Sequence, residues 1–161
     1  MSACNGMSKA DLAKLYDVTA DDIYWMDSST NERMNTNKPT CNFRVMIGEN
    51  EFNYLIGGIT VHREIKKEEM MGEIAEAVGG GENWKEAWAL QKSMSRSAEW
   101  IENVGLAAMW KPKRRELHIK FEGYSVYVMA PGAAFNQEEE ARNRDYKKIA
   151  LEMAKMSGYV N

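Results

Sequence analysis

The chain has 161 residues, 44% apolar and 28% charged, and its 21 Lys and Arg against 24 Asp and Glu leave a formal net charge of −3. A chain of this length forms one domain and buries a core without needing cross-links or metals. Near-neutrality excludes a polybasic nucleic-acid packer and a strongly acidic nucleic-acid mimic, and a normal apolar fraction with only three prolines excludes a disordered or collagen-like chain.

No run of 18 apolar residues exists, so no transmembrane helix is predicted. Residues 1–7 carry neither the charged nor the apolar region of a secretory signal and read as a flexible leader ahead of a single α+β domain over 8–161. Cys4 and Cys41 lack metal-type spacing and are expected to be reduced thiols, which points to the cytoplasm.

Ser8-Lys9-Ala10-Asp11 has the form of a capping box and predicts a helix to about Tyr16. Thr19 to Asp22 repeats the signal and predicts a second short helix near Ile23 to Met26. Residues 27–40, rich in Asn, Ser and Thr, read as a long polar loop. Period-2 alternation follows. Cys41, Phe43, Val45 and Ile47 share one strand face, and a turn at Glu49-Asn50 pairs Ile47 with Phe52, Val45 with Tyr54 and Phe43 with Ile56. Gly57-Gly58 marks a bulge or bend. Ile65 to Val78 has helical spacing, ended by Gly79-Gly80-Gly81. Asn83 to Glu86 opens a further helix to about Val104, with Trp84, Ala87, Met94, Ala98 and Ile101 inward.

Leu106 to Trp110 reads as a strand, followed by a turn at Lys111 to Arg114. Around a tight turn at Glu122-Gly123, Phe121 meets Tyr124, Ile119 meets Val126 and Leu117 meets Val128. Asn136 is the expected cap of a last helix whose buried stripe is Tyr146, Ile149, Ala150 and Met153. The fold class is thus α+β: two antiparallel β-hairpin units, able to join as one mixed-order sheet, packed with four to five helices.

Several constellations bear on function. Leu12 to Ile23 follows a helix-turn-helix core pattern, but Asp21, Asp22 and Asp27 would repel phosphates, so packing alone is expected. The glycines before Trp84 lack the strand and the Lys of a phosphate loop. Trp110, Lys111, Lys113, Arg114, Arg115 and Lys120 gather positive charge beside an aromatic ring, the means by which a backbone phosphate is held and a base stacked. His62 and His118, with Tyr127 opposite His118, are candidate ligand-binding residues, although each histidine lacks the hydroxyl residue two positions on that two-histidine phosphoesterases carry. Twelve methionines are present. Met46 and Met129, with Leu55 and Tyr127, make a second strand face partly apolar, which must be covered by helices or by another chain.

No catalytic constellation, metal site or cofactor motif can be assembled. The expected function is that of a small non-enzymatic binding protein, a regulator or inhibitor acting by contact with a macromolecule. A compact chain of this kind suits an inhibitor encoded by a virus or mobile element. The expected partner is a protein, with no membrane contact and self-association left open. Two alternatives stand beside it: nucleic-acid binding through the basic 110–120 hairpin, and a His-dependent enzyme or sensor of a small phosphorylated ligand.

Overall fold

The computed structural model describes residues 2–28, 39–49, 51–63, 84–133 and 144–161. Its centre is one seven-stranded sheet. The strands are β1 (Ile23–Asp27), β2 (Thr40–Met46), β3 (Tyr54–Arg63), β4 (Glu99–Ile101), β5 (Ala107–Lys111), β6 (Glu116–Phe121) and β7 (Tyr124–Gly132). Three α-helices accompany it among the described residues: α1 (Lys9–Tyr16), α2 (Trp84–Met94) and α3 (Tyr146–Met156). Strand order is β1-β2-β3-β7-β6-β5-β4, every neighbour antiparallel. This corrects the expectation of two hairpin units with four to five helices. The inner edges β3 and β7 pair from Arg63 opposite Tyr124 to Ile56 opposite Gly132, which satisfies two rows of backbone groups that separate hairpins would leave open.

The capping signal at Ser8 starts an α-helix, whereas the one at Thr19 does not. Ser8 and Asp11 form the reciprocal box that starts α1, each side chain bonding the other residue's backbone N–H. Thr19 and Asp22 make the same box, yet it caps only a 3₁₀ turn, Ala20–Asp22, before the chain extends into β1. The predicted helix at Ile23 to Met26 is therefore a strand, and the helix-turn-helix pattern is not realised. Alternation of Ile23 and Trp25 inward with Tyr24 and Met26 outward explains the outcome, since β-branched and aromatic residues favour a pleated surface. Helix α2 likewise ends at Met94, not Val104. Ser93 turns its hydroxyl onto the Leu90 carbonyl, the local competition by which serines weaken helix ends, and Glu99–Ile101 then pairs with β5. The predicted helix over Ile65 to Val78, the glycines after it and the Asn136 cap lie outside the described residues. Helix α3 begins at Tyr146, where the Asp145 carboxylate accepts from the Lys148 N–H.

Hairpin β6–β7 has the expected register, Phe121 opposite Tyr124, Ile119 opposite Val126 and Leu117 opposite Val128. Hairpin β2–β3 is displaced by one residue. Val45 faces Leu55 rather than Tyr54, and Phe43 faces Gly57 rather than Ile56. A one-residue slip exchanges faces, so Leu55 and Ile59 enter the core while Tyr54 and Ile56 turn to the other side.

One face of the sheet, with Cys41, Phe43, Val45, Leu55, Leu117, Ile119, Val126 and Val128, packs on Leu12, Ala13 and Tyr16 of α1 and on Ala150, Met153 and Ala154 of α3. Residues 2–7 belong to this core and are not a free leader: Ala3, Cys4 and Met7 are buried. Cys4 is disulfide-bonded to Cys41, which overturns the expectation of reduced thiols. Sequence spacing carries no sign of this pairing, because the two residues are brought together only when the N-terminal turn packs on β2. The opposite face is covered at its β4–β6 end by α2, where Trp88, Ala98 and Met109 form a second, smaller cluster. No helix of the described residues is long and apolar enough to cross a membrane.

Candidate functional site

Away from α2, the second face holds a concave pocket of about 840 Å³. Its geometry follows from register. Met26, Asn42, Gly58, Met129 and Glu116 lie in one row across β1, β2, β3, β7 and β6. Tyr24, Arg44 and Ile56 form the next row on one side, and Thr60, Tyr127 and His118 the row on the other. The middle of this array is a residue without a side chain. A Cβ at Gly58 would come within 2.8 Å of the Cys41 carbonyl and of Asn42 Oδ1, so the position admits nothing larger and leaves a hollow. Gly57 is required for a different reason. Opposite it β7 carries one extra residue, and a Cβ at Gly57 would meet the Met129 carbonyl and the Pro131 nitrogen at 2.6 Å.

The three candidate ligand residues come together here. Tyr127 lies between two imidazoles: His118 stacks on it with ring centroids 3.6 Å apart and planes within 6°, and His62 leans on it at 4.3 Å. His62 and Tyr127 line the pocket, and His118 lies buried behind them at 3% exposure. Neither His118 nitrogen makes a hydrogen bond among the described residues. Its Nε2 is 3.6 Å from the Glu116 carboxylate, beyond hydrogen-bond reach but close enough for electrostatic attraction. Burial pushes the His118 imidazole below its ordinary value against the pull of Glu116, so the ring is neutral at pH 7. Glu116 feels burial in the opposite sense, but His118, Arg114 and Lys111 outweigh it and hold the carboxyl below its ordinary range, so it is ionised. Burial and then Glu116 push the Tyr127 phenol up, keeping it neutral and able to donate.

The basic constellation is taken apart by the fold. Trp110 is 5% exposed and points into the main core, where no base can stack on it. Lys120 is buried on the other face, its Nζ donating to the Phe121 carbonyl and lying 5.5 Å from the Trp84 ring. Lys111 Nζ donates to Gln91, and desolvation followed by Arg114 lowers its pKa. The Arg115 guanidinium lies over Tyr146. Lys113 and Arg114 remain exposed on a 3₁₀ turn. The physical reason is alternation: Trp110 and Lys111 face opposite sides of β5, and Lys120 shares its side with α2 rather than with Trp110.

Tyr24, Met26, Asn42, Arg44, Ile56, Thr60 and Glu116 line the pocket without having been singled out as site residues. The available signal was the Gly57-Gly58 pair inside a strand, beside an apolar second face already marked by Met129 and Tyr127. Arg44 is exposed, its guanidinium 4.8 Å above the Tyr54 ring, with no carboxylate within ion-pair reach among the described residues. The array can hold a planar apolar group against Met129 and Tyr127, with hydrogen-bonding partners at Asn42 and Thr60 and charges of opposite sign at its two ends. Among the described residues no group of three His, Cys, Asp or Glu side chains could hold a metal ion. Comparison with protein-family models, curated proteins and solved structures finds no match to the chain.

Proposed function

We propose that the protein is a binding protein and that its site is the Gly58-centred pocket. One observation carries this: five strands converge on a single hollow of about 840 Å³, with apolar walls and a few directed polar groups. That size and character belong to small-ligand sites. The histidine-containing ligand sensor is the version of the function best supported, since His62 and Tyr127 share the pocket with Arg44. Binding of small fragments, followed by ligand-observed NMR, tests the reading. Met26 and Ile56 are exposed on the pocket wall, so the M26E/I56E double variant folds and loses the fragments that wild type holds. Retention of those fragments by the variant would dispose of the proposal.

The regulator or inhibitor acting on a macromolecule draws its support from another surface. Leu90 and Met94, one turn apart on α2, are 61% and 78% exposed, the kind of apolar exposure that marks a contact. Nucleic-acid binding through the 110–120 hairpin has the least support, being left with Lys113 and Arg114 as its exposed bases. Of the features that point to the cytoplasm, free thiols are absent, and the bonded Cys4–Cys41 pair favours an oxidising compartment.

A further inference from the structure

The charges around the pocket define its ligand more narrowly. Arg44 is one strand across and two residues along from Gly58, about 8 Å away by backbone spacing. Glu116 is two strands away on the opposite side, about 10 Å. The hollow between them is bounded by Met129 and by Tyr127, whose two imidazole neighbours fix the plane of its ring. A thioether favours the face of a planar π-system, and Tyr127, its ring flanked by the two imidazoles, meets such a group with its edge. An anionic group is attracted to Arg44, whereas an amino group can donate to the Glu116 carboxylate, which Arg114 pairs with at 3.8 Å. One ligand therefore satisfies both ends only if it carries an anion and an amine on opposite sides of a ring.

We infer that the pocket binds a free nucleoside monophosphate with an exocyclic amine on its base, the base lying over Gly58 against Met129 and Tyr127, the amine edge toward Glu116 and the phosphate at Arg44. This rests on the pocket being the site. Within it Asn42 and Thr60 are placed to bond the base edge or the sugar hydroxyls. A nucleic-acid strand does not fit as well, because Arg44 is the one Lys or Arg among the described lining residues and a strand needs a basic track along its backbone.

The test is amide-detected NMR titration of the whole chain with AMP, adenosine, UMP, inorganic phosphate and a short oligoadenylate, at low-millimolar concentration. Saturable AMP shifts are expected at Asn42, Gly58, Thr60 and Tyr127, with UMP and adenosine each binding about tenfold more weakly. R44Q should weaken AMP about tenfold and leave adenosine unchanged, while R44K recovers part of the loss. Arg44 is exposed, so these variants fold. Adenosine binding as tightly as AMP, with R44Q without effect, overturns the nucleotide inference and leaves the pocket as the binding site. Tighter binding of oligoadenylate than AMP overturns the free-nucleotide assignment. If AMP shifts gather at Lys113 and Arg114, or if none of the probes perturbs the pocket while fragments also fail to bind there, the inference and the pocket reading fall together.

Discussion

His118 is the residue at which burial, stacking and charge meet. Its imidazole has left water without gaining a hydrogen bond, and the contacts that hold it are the Tyr127 ring and the Glu116 carboxylate. A group whose folded pKa is depressed stabilises the fold above its unfolded value and loses that contribution as pH falls through the folded one. The other charged groups facing it are Glu116, Arg114 and Lys111, and Glu116 titrates below its ordinary 4.5. Between pH 6.5 and 4.5, protonation of His118 therefore contributes to a fall in stability. Urea denaturation across that window is expected to show the decline in wild type and a flatter profile in H118F, which keeps an apolar ring on Tyr127. An unchanged slope in H118F would assign the acid sensitivity elsewhere.

Among the elements, β3 decides most. It joins the β1–β2 side of the sheet to the β4–β7 side, it carries Gly57 against the β7 bulge, and it places Gly58 at the pocket floor. The substitution G57A puts a methyl group into backbone atoms of Met129 and Pro131, which have no rotamer to give. The expected cost is about 1–3 kcal/mol, as for other overpacked sites, read as a lower thermal midpoint. It should come with loss of hydrogen-exchange protection along β3 and β7, and normal protection there with full stability would contradict the bulge geometry. The two hairpins also explain what a sequence conveys about strands. Hairpin β6–β7 has a short turn that leaves one register, and the alternation of Leu117, Ile119 and Phe121 matches it. Hairpin β2–β3 has a longer connection and consecutive apolar residues, Tyr54, Leu55 and Ile56, so alternation fits two registers equally and packing chooses.

On the scale of the whole molecule, the two ends of the chain close the structure. The N-terminal turn is bonded to β2 through Cys4–Cys41. Ser2 hydrogen-bonds Asp27, Asn5 donates to the Ser157 carbonyl, and the Tyr159 hydroxyl donates to the Ala3 carbonyl. The disulfide spans a sequence separation of 37 residues, and a loop of that size is worth about 2–4 kcal/mol. The C4S/C41S double variant should lose that much in denaturant unfolding, and wild type under reductant should approach it. Equal stability of oxidised and reduced protein would mean that the remaining hydrogen bonds hold the clasp unaided.

Local chemistry was enough to determine a good part of this protein: the Ser8 box, the β6–β7 register, the stripe of α3 and a partly apolar second face. Each depends on interactions within a few residues or across one tight turn, which the chain encodes directly. Only the tertiary structure decided that β3 meets β7, that Ile23 to Met26 extends, that Cys4 reaches Cys41, and that Trp110 and Lys120 are consumed by packing while Arg44 and Glu116 frame a pocket. Those outcomes depend on contacts between residues far apart in sequence, where many pairings satisfy the local pattern and the packing of the sheet against its helices selects one.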